Sequence, residues 1–157
     1  MDNVTAQRIA LLHPKVRNEA AALINEANAL LTTHSQIRVV QGLRTFAEQD
    51  ALFAKRPRVT KAKDGQSLHN YGVAVDFCLI IDGKEVSWDL KKDWDGDKIA
   101  DWMEVVSVFR KAGWEWGGTW KFTDNPHFQK TFGYTWQQLL QKHNNHDFIA
   151  GTTYVNI

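Results

Sequence analysis

Val73-Ala74-Val75-Asp76-Phe77-Cys78-Leu79-Ile80-Ile81 is a nine-residue apolar run interrupted by one carboxylate. It carries many β-branched residues, and a run of this length reads as a strand covered on both faces. Alternation puts Val73, Val75, Phe77 and Leu79 on one face, and Ala74, Asp76, Cys78 and Ile80 on the other. Asp76 therefore points away from the bulkier face. A lone ionised carboxylate in such a strand is costly unless a cation or hydrogen bonds meet it. Gly72 opens the strand, and a bend there brings His69 back beside Asp76.

A second segment, Asp124-Asn125-Pro126-His127-Phe128, lies about fifty residues further on. Asn125-Pro126 favours a turn, which lets Asp124 and His127 converge where a flat strand would send them to opposite faces. Two imidazoles and one carboxylate (His69, Asp76 and His127) make a three-ligand zinc set. Three protein ligands leave a fourth position open, the pattern of a catalytic rather than a structural site. Asp124 beside such a site is placed as a general base. Taken singly, these residues have plainer readings. Each histidine can be a surface or satisfied core residue, Asp76 a buried hydrogen-bonding anchor, and Asp124 a turn cap.

Outward from the strand, the pattern alternates helices with short strands. Thr5 to Leu12 reads as a short helix, and Pro14 suits the first turn of a second one running to about Leu31. Residues 37–41 alternate as a strand. Thr45 caps a helix that ends before Pro57, and residues 56–66 form a polar, basic loop. Ile81-Asp82-Gly83-Lys84 signals a hairpin turn. Lys98 to Ala112 is amphipathic, with Gly113 as its stop. Residues 127–129 supply a short strand, and Thr135 caps a last helix to about Lys142. The expected class is α+β: a single domain with a small, mostly antiparallel sheet and flanking helices. Residues 1–142 are expected to form the catalytic domain, with 143–157 as a tail packed on it or trailing from it.

The chain has 157 residues, with 43% hydrophobic and 24% charged residues, values ordinary for one globular domain. A net charge of +1 gives no electrostatic case for nucleic acid or an anionic membrane. No stretch reaches the roughly 18 consecutive apolar residues of a membrane span. The N-terminus lacks a basic segment followed by an apolar core, so synthesis in the cytoplasm without a signal peptide is expected. The single cysteine excludes an internal disulfide. Cys78 shares a strand face with Asp76, and a small buried hydrophobe is the preferred reading over a thiolate ligand.

The pair of motifs Ser67-x-His69-x-x-Gly72-x-Ala74-x-Asp76 and Asp124-x-Pro126-His127-Phe128 resembles the signature of the zinc peptidoglycan peptidases. That family contains D-alanyl-D-alanine carboxypeptidases and L-alanyl-D-glutamate endopeptidases, and shares its fold with the hedgehog signalling domain. Gly42-Leu43-Arg44-Thr45, Ser87-Trp88-Asp89, Asp101-Trp102-Met103-Glu104-Val105-Val106 and Gly113-Trp114-Glu115-Trp116-Gly117-Gly118 are similar to the endopeptidase branch, which includes phage endolysins. The resemblance covers roughly residues 5 to 140. It implies one zinc ion held by His69, Asp76 and His127, with Asp124 as general acid/base. Arg44 matches the arginine beside the substrate carbonyl, and Ser67 a serine near the substrate. The implied activity is cleavage of the L-Ala–D-Glu bond in peptidoglycan stem peptides, acting on the cell wall as a monomer, endolysin-like and bacteriolytic. A D-alanyl-D-alanine carboxypeptidase is the nearest alternative. A zinc-containing binding module and an iron oxygenase with a two-histidine, one-carboxylate triad are more distant ones.

Three further features carry expectations. Asp93-Trp94-Asp95-Gly96-Asp97 sets oxygen donors at alternating positions, with Asp101 following. It is read as a fragment of a Ca2+ loop without the spacing or closing glutamate of an EF-hand. A solvated turn is therefore preferred over a calcium site at Asp93, Asp95 and Asp97. Trp114, Trp116 and Trp120 precede the second motif; core packing is expected for each, with Trp116 as the candidate wall of a substrate groove. His143 and His146 are expected to lie in a polar connector to the tail.

Overall fold

Side chains that satisfy leftover backbone groups bound most of the helices in the computed structural model, which describes all 157 residues. Helix α1 (Asn3–Ala10) starts two residues before its expected place because the Asp2 side chain accepts from the Thr5 N–H at 2.7 Å. Helix α2 (Pro14–Leu30) has Pro14 in its first turn and the His13 ring as its cap. Helix α3 (Phe46–Ala54) opens with a reciprocal box between Thr45 and Glu48, and α5 (Trp136–Asn144) with one between Thr135 and Gln138. Helix α4 spans Asp101–Lys111, three residues shorter at its start than the amphipathic pattern suggests. Lys98 is held at φ 78°, and the Asp97 side chain takes the Ile99 N–H, so residues 98–100 belong to a loop.

Five strands form one antiparallel sheet in the order β1-β2-β5-β4, with β3 also on β2. Strand β2 (Ala74–Ile81) is the long apolar run, with β1 (Ser35–Gln41) along one edge. Its other edge is shared: β5 (His127–Gln129) pairs with the first half and β3 (Glu85–Ser87) with the second. Strand β4 (Glu115–Trp116) closes the sheet beyond β5. The β2–β3 turn carries positive φ at Asp82 and Gly83, as a tight hairpin of this sequence requires.

Val75, Phe77, Leu79 and Ile81 enter the main core against α1, α2 and α4. Phe77 lies between Trp102 of α4, at 4.3 Å between centroids, and Phe128 of β5, at 5.4 Å. The opposite face buries Ala74, Cys78 and Ile80 and leaves Asp76 partly open. A smaller cluster gathers Tyr71, Val73, Leu139 and Val155. Val155 belongs to the final segment, which doubles back through a Phe148–Val155 bridge. His13 joins this cluster to the rest: its Nδ1 accepts from the Lys15 N–H at 3.1 Å, so its Nε2–H donates to the Val155 carbonyl at 2.8 Å. His143, expected in a polar connector, instead stacks on Phe46 at 4.3 Å, because α5 continues to Asn144 and carries the ring inward. No helix is long and apolar enough to cross a membrane.

Candidate metal centre and active site

His69 stands on a short 3-10 turn, Leu68–Tyr71, just before β2. Ser67 caps that turn, its Oγ accepting from the His69 N–H at 3.3 Å. The expected substrate-side serine thus has a local structural task. Gly72 ends the turn at φ 69°, where a Cβ would meet the His13 nitrogen at 2.6 Å. The chain can make this bend against α2 only with glycine, and the bend returns the His69 ring to Asp76. Its Nε2 lies 3.3 Å from Asp76 Oδ2.

His127 reaches the same carboxylate across the sheet. Asp76 and His127 are register partners in the β2–β5 pair, so their side chains share one face. His127 Nδ1 is 2.9 Å from Asp76 Oδ1. Before it, the chain turns as expected: the His127 N–H donates to the Asp124 carbonyl at 3.1 Å. This places Asp124 Oδ2 at 3.9 Å from His127 Nδ1 with about half its side chain exposed. Gly117 makes room for the turn, since a Cβ there would sit 2.4 Å from the Asp124 carbonyl oxygen.

The donor atoms of His69, Asp76 and His127 lie within 4.8 Å of one another. Both rings have their other nitrogen engaged. His69 Nδ1–H donates to the Gly42 carbonyl at 2.9 Å, and His127 Nε2–H donates to Gln129 Oε1 at 2.9 Å. Outer partners of this kind fix the tautomer that leaves the inner nitrogen free to ligate. The set therefore fits a zinc ion: two neutral imidazoles and one carboxylate, oriented from behind. Cys78 is buried on the same strand and is not one of the converging donors.

Titration follows from the packing. Burial pushes Asp76 upward, but hydrogen bonds from His127 and His69, and their charge, hold its carboxyl far below the usual range. Burial lowers His127, and the hydrogen bond and charge of Asp76 overcome that and raise it. Burial, then the charge of Asp76, raises Asp124 above an ordinary carboxylate.

Arg44 follows β1, with its N–H donating to the His69 carbonyl at 3.0 Å. Gln49 Oε1 accepts from its Nη1 at 3.0 Å, while its buried Nε has no partner. Burial lowers the Arg44 pKa, and the negative charges of Asp76 and Glu48 partly restore it. Trp116, the candidate groove wall, instead enters the main core, only 9% exposed, with Nε1–H donating to the Asn125 carbonyl. Trp120 lies against the His127 ring at 5.3 Å. Residue patterning also passed over a network behind that ring. Gln129 Nε2 donates to Glu115 Oε2 at 3.0 Å, and Trp120 Nε1 to Glu115 Oε1 at 2.6 Å. Gln129 was legible as the next same-face residue after His127; the role of the Gly42 carbonyl behind His69 and that of Gln49 left no signal, because the fold alone brings them in.

Outside this centre, the acidic loop departs from its sequence reading in one respect. Counted from Asp93, Glu104 is the twelfth residue, and the loop does have a closing glutamate. Helix α4 carries it back toward Asp95 and Asp97, whose ligand atoms lie within 4.8 Å of its own; Asp93, Asp95 and Asp101 form an overlapping group.

Residues 60–130 match a family described as D-alanyl-D-alanine carboxypeptidase. Peptidoglycan L-alanyl-D-glutamate endopeptidase CwlK of Bacillus subtilis (strain 168) is 39% identical over 124 residues, covering 75% of this chain and 72% of CwlK. The chain belongs to this peptidase family. The family is zinc-dependent, which agrees with the donor set formed by His69, Asp76 and His127. In structure, the peptidase is similar to Serratia marcescens L-Ala D-Glu endopeptidase ChiX. The TM-score is 0.58 at 26% identity, over 84% of this chain and 90% of ChiX. The peptidase's α+β architecture and antiparallel sheet agree with the expectation from sequence.

Proposed function

We propose that this chain is a zinc-dependent peptidoglycan hydrolase that cleaves the L-Ala–D-Glu bond of stem peptides. The convergence of His69, Asp76 and His127 beside a half-exposed Asp124 carries this reading. Its similarity to CwlK and ChiX supports the endopeptidase bond over the terminal D-Ala–D-Ala bond.

A zinc ion held by the three ligands supplies a Lewis acid for the scissile carbonyl and a more acidic water. Asp124 accepts the proton of the attacking water and returns it to the departing amine. Its partial exposure gives the peptide access, and its raised pKa brings it nearer the operating pH of a general base. Arg44 is the fixed cation for the oxyanion that develops on the carbonyl oxygen. Gln49 holds its guanidinium, so little reorganisation accompanies the reaction. Asp76 stays ionised and orients both rings. Trp120 takes the groove-wall place first considered for Trp116, and Ser67 acts on the substrate only through the turn it caps. Residues 1–157 act as one unit, because the final segment completes the cluster around Val155. The closing lytic step, rupture of whole cells after access to the wall, follows from the same cleavage.

Digestion of purified peptidoglycan, with the new termini identified by mass spectrometry, tests the bond. New N-terminal D-Glu and C-terminal L-Ala are expected, and both disappear with a zinc chelator. Release of free D-alanine alone would replace this reading with the carboxypeptidase one.

A further inference from the structure

The segment from Asp93 to Glu104, which leads into α4, holds five carboxylates and a single cation, Lys98. Asp93, Asp95, Asp97, Asp101 and Glu104 stand at places one, three, five, nine and twelve of a twelve-residue segment. No lysine or arginine forms an ion pair with any of them. Much of the acidic loop is occupied with its own backbone. Asp93 accepts from the Gly96 and Lys98 N–H groups, Asp95 from Asp97, and Asp97 from Ile99. By themselves these turns would describe a solvated acidic loop.

Glu104 does not fit that description. It is only 6% exposed, in the first turn of α4, and its Oε2 is buried without any hydrogen-bond partner. A buried carboxylate oxygen with no donor carries a desolvation penalty that something must offset. What faces it is more negative charge, from Asp95 and Asp97. Burial, then the charges of Asp97, Asp95, Asp101 and Asp93, push its carboxyl up to about 7.

We propose that Asp93, Asp95, Asp97, Asp101 and Glu104 form a calcium site distinct from the His69/Asp76/His127 centre. The places are those of a helix-bounded calcium loop: side chains at one, three, five and nine, a backbone carbonyl at seven, and a glutamate at twelve. The seventh residue is Ile99, whose carbonyl accepts no hydrogen bond in the fold. The sixth place ordinarily needs glycine for a sharp turn; here Lys98 adopts the left-handed conformation, at φ 78°. All the donors are hard oxygens, which suit calcium, and the irregular loop suits its flexible coordination better than the strict octahedron of magnesium. The ion ties the loop to α4, and so to Trp102, whose ring packs on Phe77 next to Asp76. Its task is to hold α4 on the sheet that carries the catalytic ligands.

Calorimetric titration of the full-length, zinc-loaded protein with calcium chloride, alongside thermal melting, tests this. One ion per chain is expected, with a Kd below about 1 mM and a rise in Tm of roughly 5 °C at saturation. Magnesium at the same concentration should give less than half that shift. Glu104→Gln should weaken calcium binding at least tenfold while melting no lower than the parent without calcium, since it removes a repelled charge. Asp97→Asn, at an exposed position, should weaken binding several-fold with the fold intact, and decides the matter if Glu104→Gln does not fold. His69→Ala should respond to calcium as the parent does, which separates this site from the peptidase reading. Absence of heat and of a Tm shift at 10-fold excess over ~1 mM overturns the proposal. So does an equal response to magnesium, parental affinity in both acidic-loop variants, or loss of the calcium response in His69→Ala.

Discussion

Asp76 connects the two histidines, yet the proton chemistry of the centre lies with its neighbours. With both oxygens occupied by His69 and His127, and its pKa held low, Asp76 has no tendency to take a proton near neutrality. Asp124 differs in both respects: it makes no hydrogen bond to a ligand ring and is half exposed. Asp124→Asn keeps the shape and removes the proposed base. The expected loss in kcat is about 10²- to 10⁴-fold, with zinc content and Tm unchanged in metal analysis and melting. Wild-type turnover in that variant would remove Asp124 from the mechanism. Gln129 acts from behind. Its Oε1 fixes the tautomer of His127, so Gln129→Ala should weaken zinc binding by roughly 10- to 100-fold, read in competition with a chromophoric chelator. An unchanged affinity would show that the β5 register alone sets the ring.

At the scale of elements, the bend before β2 and the turn before β5 do the placing. Gly72 has both a left-handed φ and no room for a Cβ against His13, so Gly72→Ala must move the 3-10 turn or α2. The expected cost is about 1–3 kcal/mol, seen as a lower midpoint in urea, together with weaker zinc binding because His69 rides on that turn. A stable variant with zinc affinity intact would mean that the turn can shift without the ring. These two elements were legible in the sequence because glycine and proline mark backbone that other residues cannot form. The buried strand was legible from its apolar run, and the caps at Thr45 and Thr135 from the glutamate and glutamine three residues on. The start of α4 was not. Its amphipathic pattern runs through Lys98, and only the side-chain hydrogen bonds of Asp93 and Asp97 show that the chain is still a loop there. Trp116 and Trp120 were equally hard to separate. Both precede the second motif, and only the inward turn of β4 decides that one fills the core and the other meets His127.

Across the whole molecule, metal binding and folding stability are linked through the same protons. His69 and Asp76 are near in sequence, but His127 joins them only when β5 pairs with β2 in the Asp76–His127 register. A slip of one residue would send His127 to the opposite face. The unfolded chain therefore has no such site, and zinc affinity becomes folding free energy. The metal-free fold raises the His127 pKa above its ordinary value of 6.5. A raised histidine contributes stability that is fully present below the unfolded pKa and is lost as pH rises through the folded one. Zinc reverses the sign at this residue, because it requires the neutral ring. Below the folded pKa of His127, each unit of acidification should weaken zinc binding about tenfold per displaced proton, or about 1.4 kcal/mol. Subtracting the Tm without zinc from the Tm with zinc, at each pH, cancels groups such as His13 that titrate alike in both forms. That difference should be large and flat at pH 8 and above, and shrink steadily from a point above 6.5 toward pH 5. In His127→Ala it should be small at every pH. A zinc-dependent Tm difference in the parent protein that stays constant from pH 8 to 5 would mean that His127 is not a ligand, because no proton would then compete with the metal for its ring.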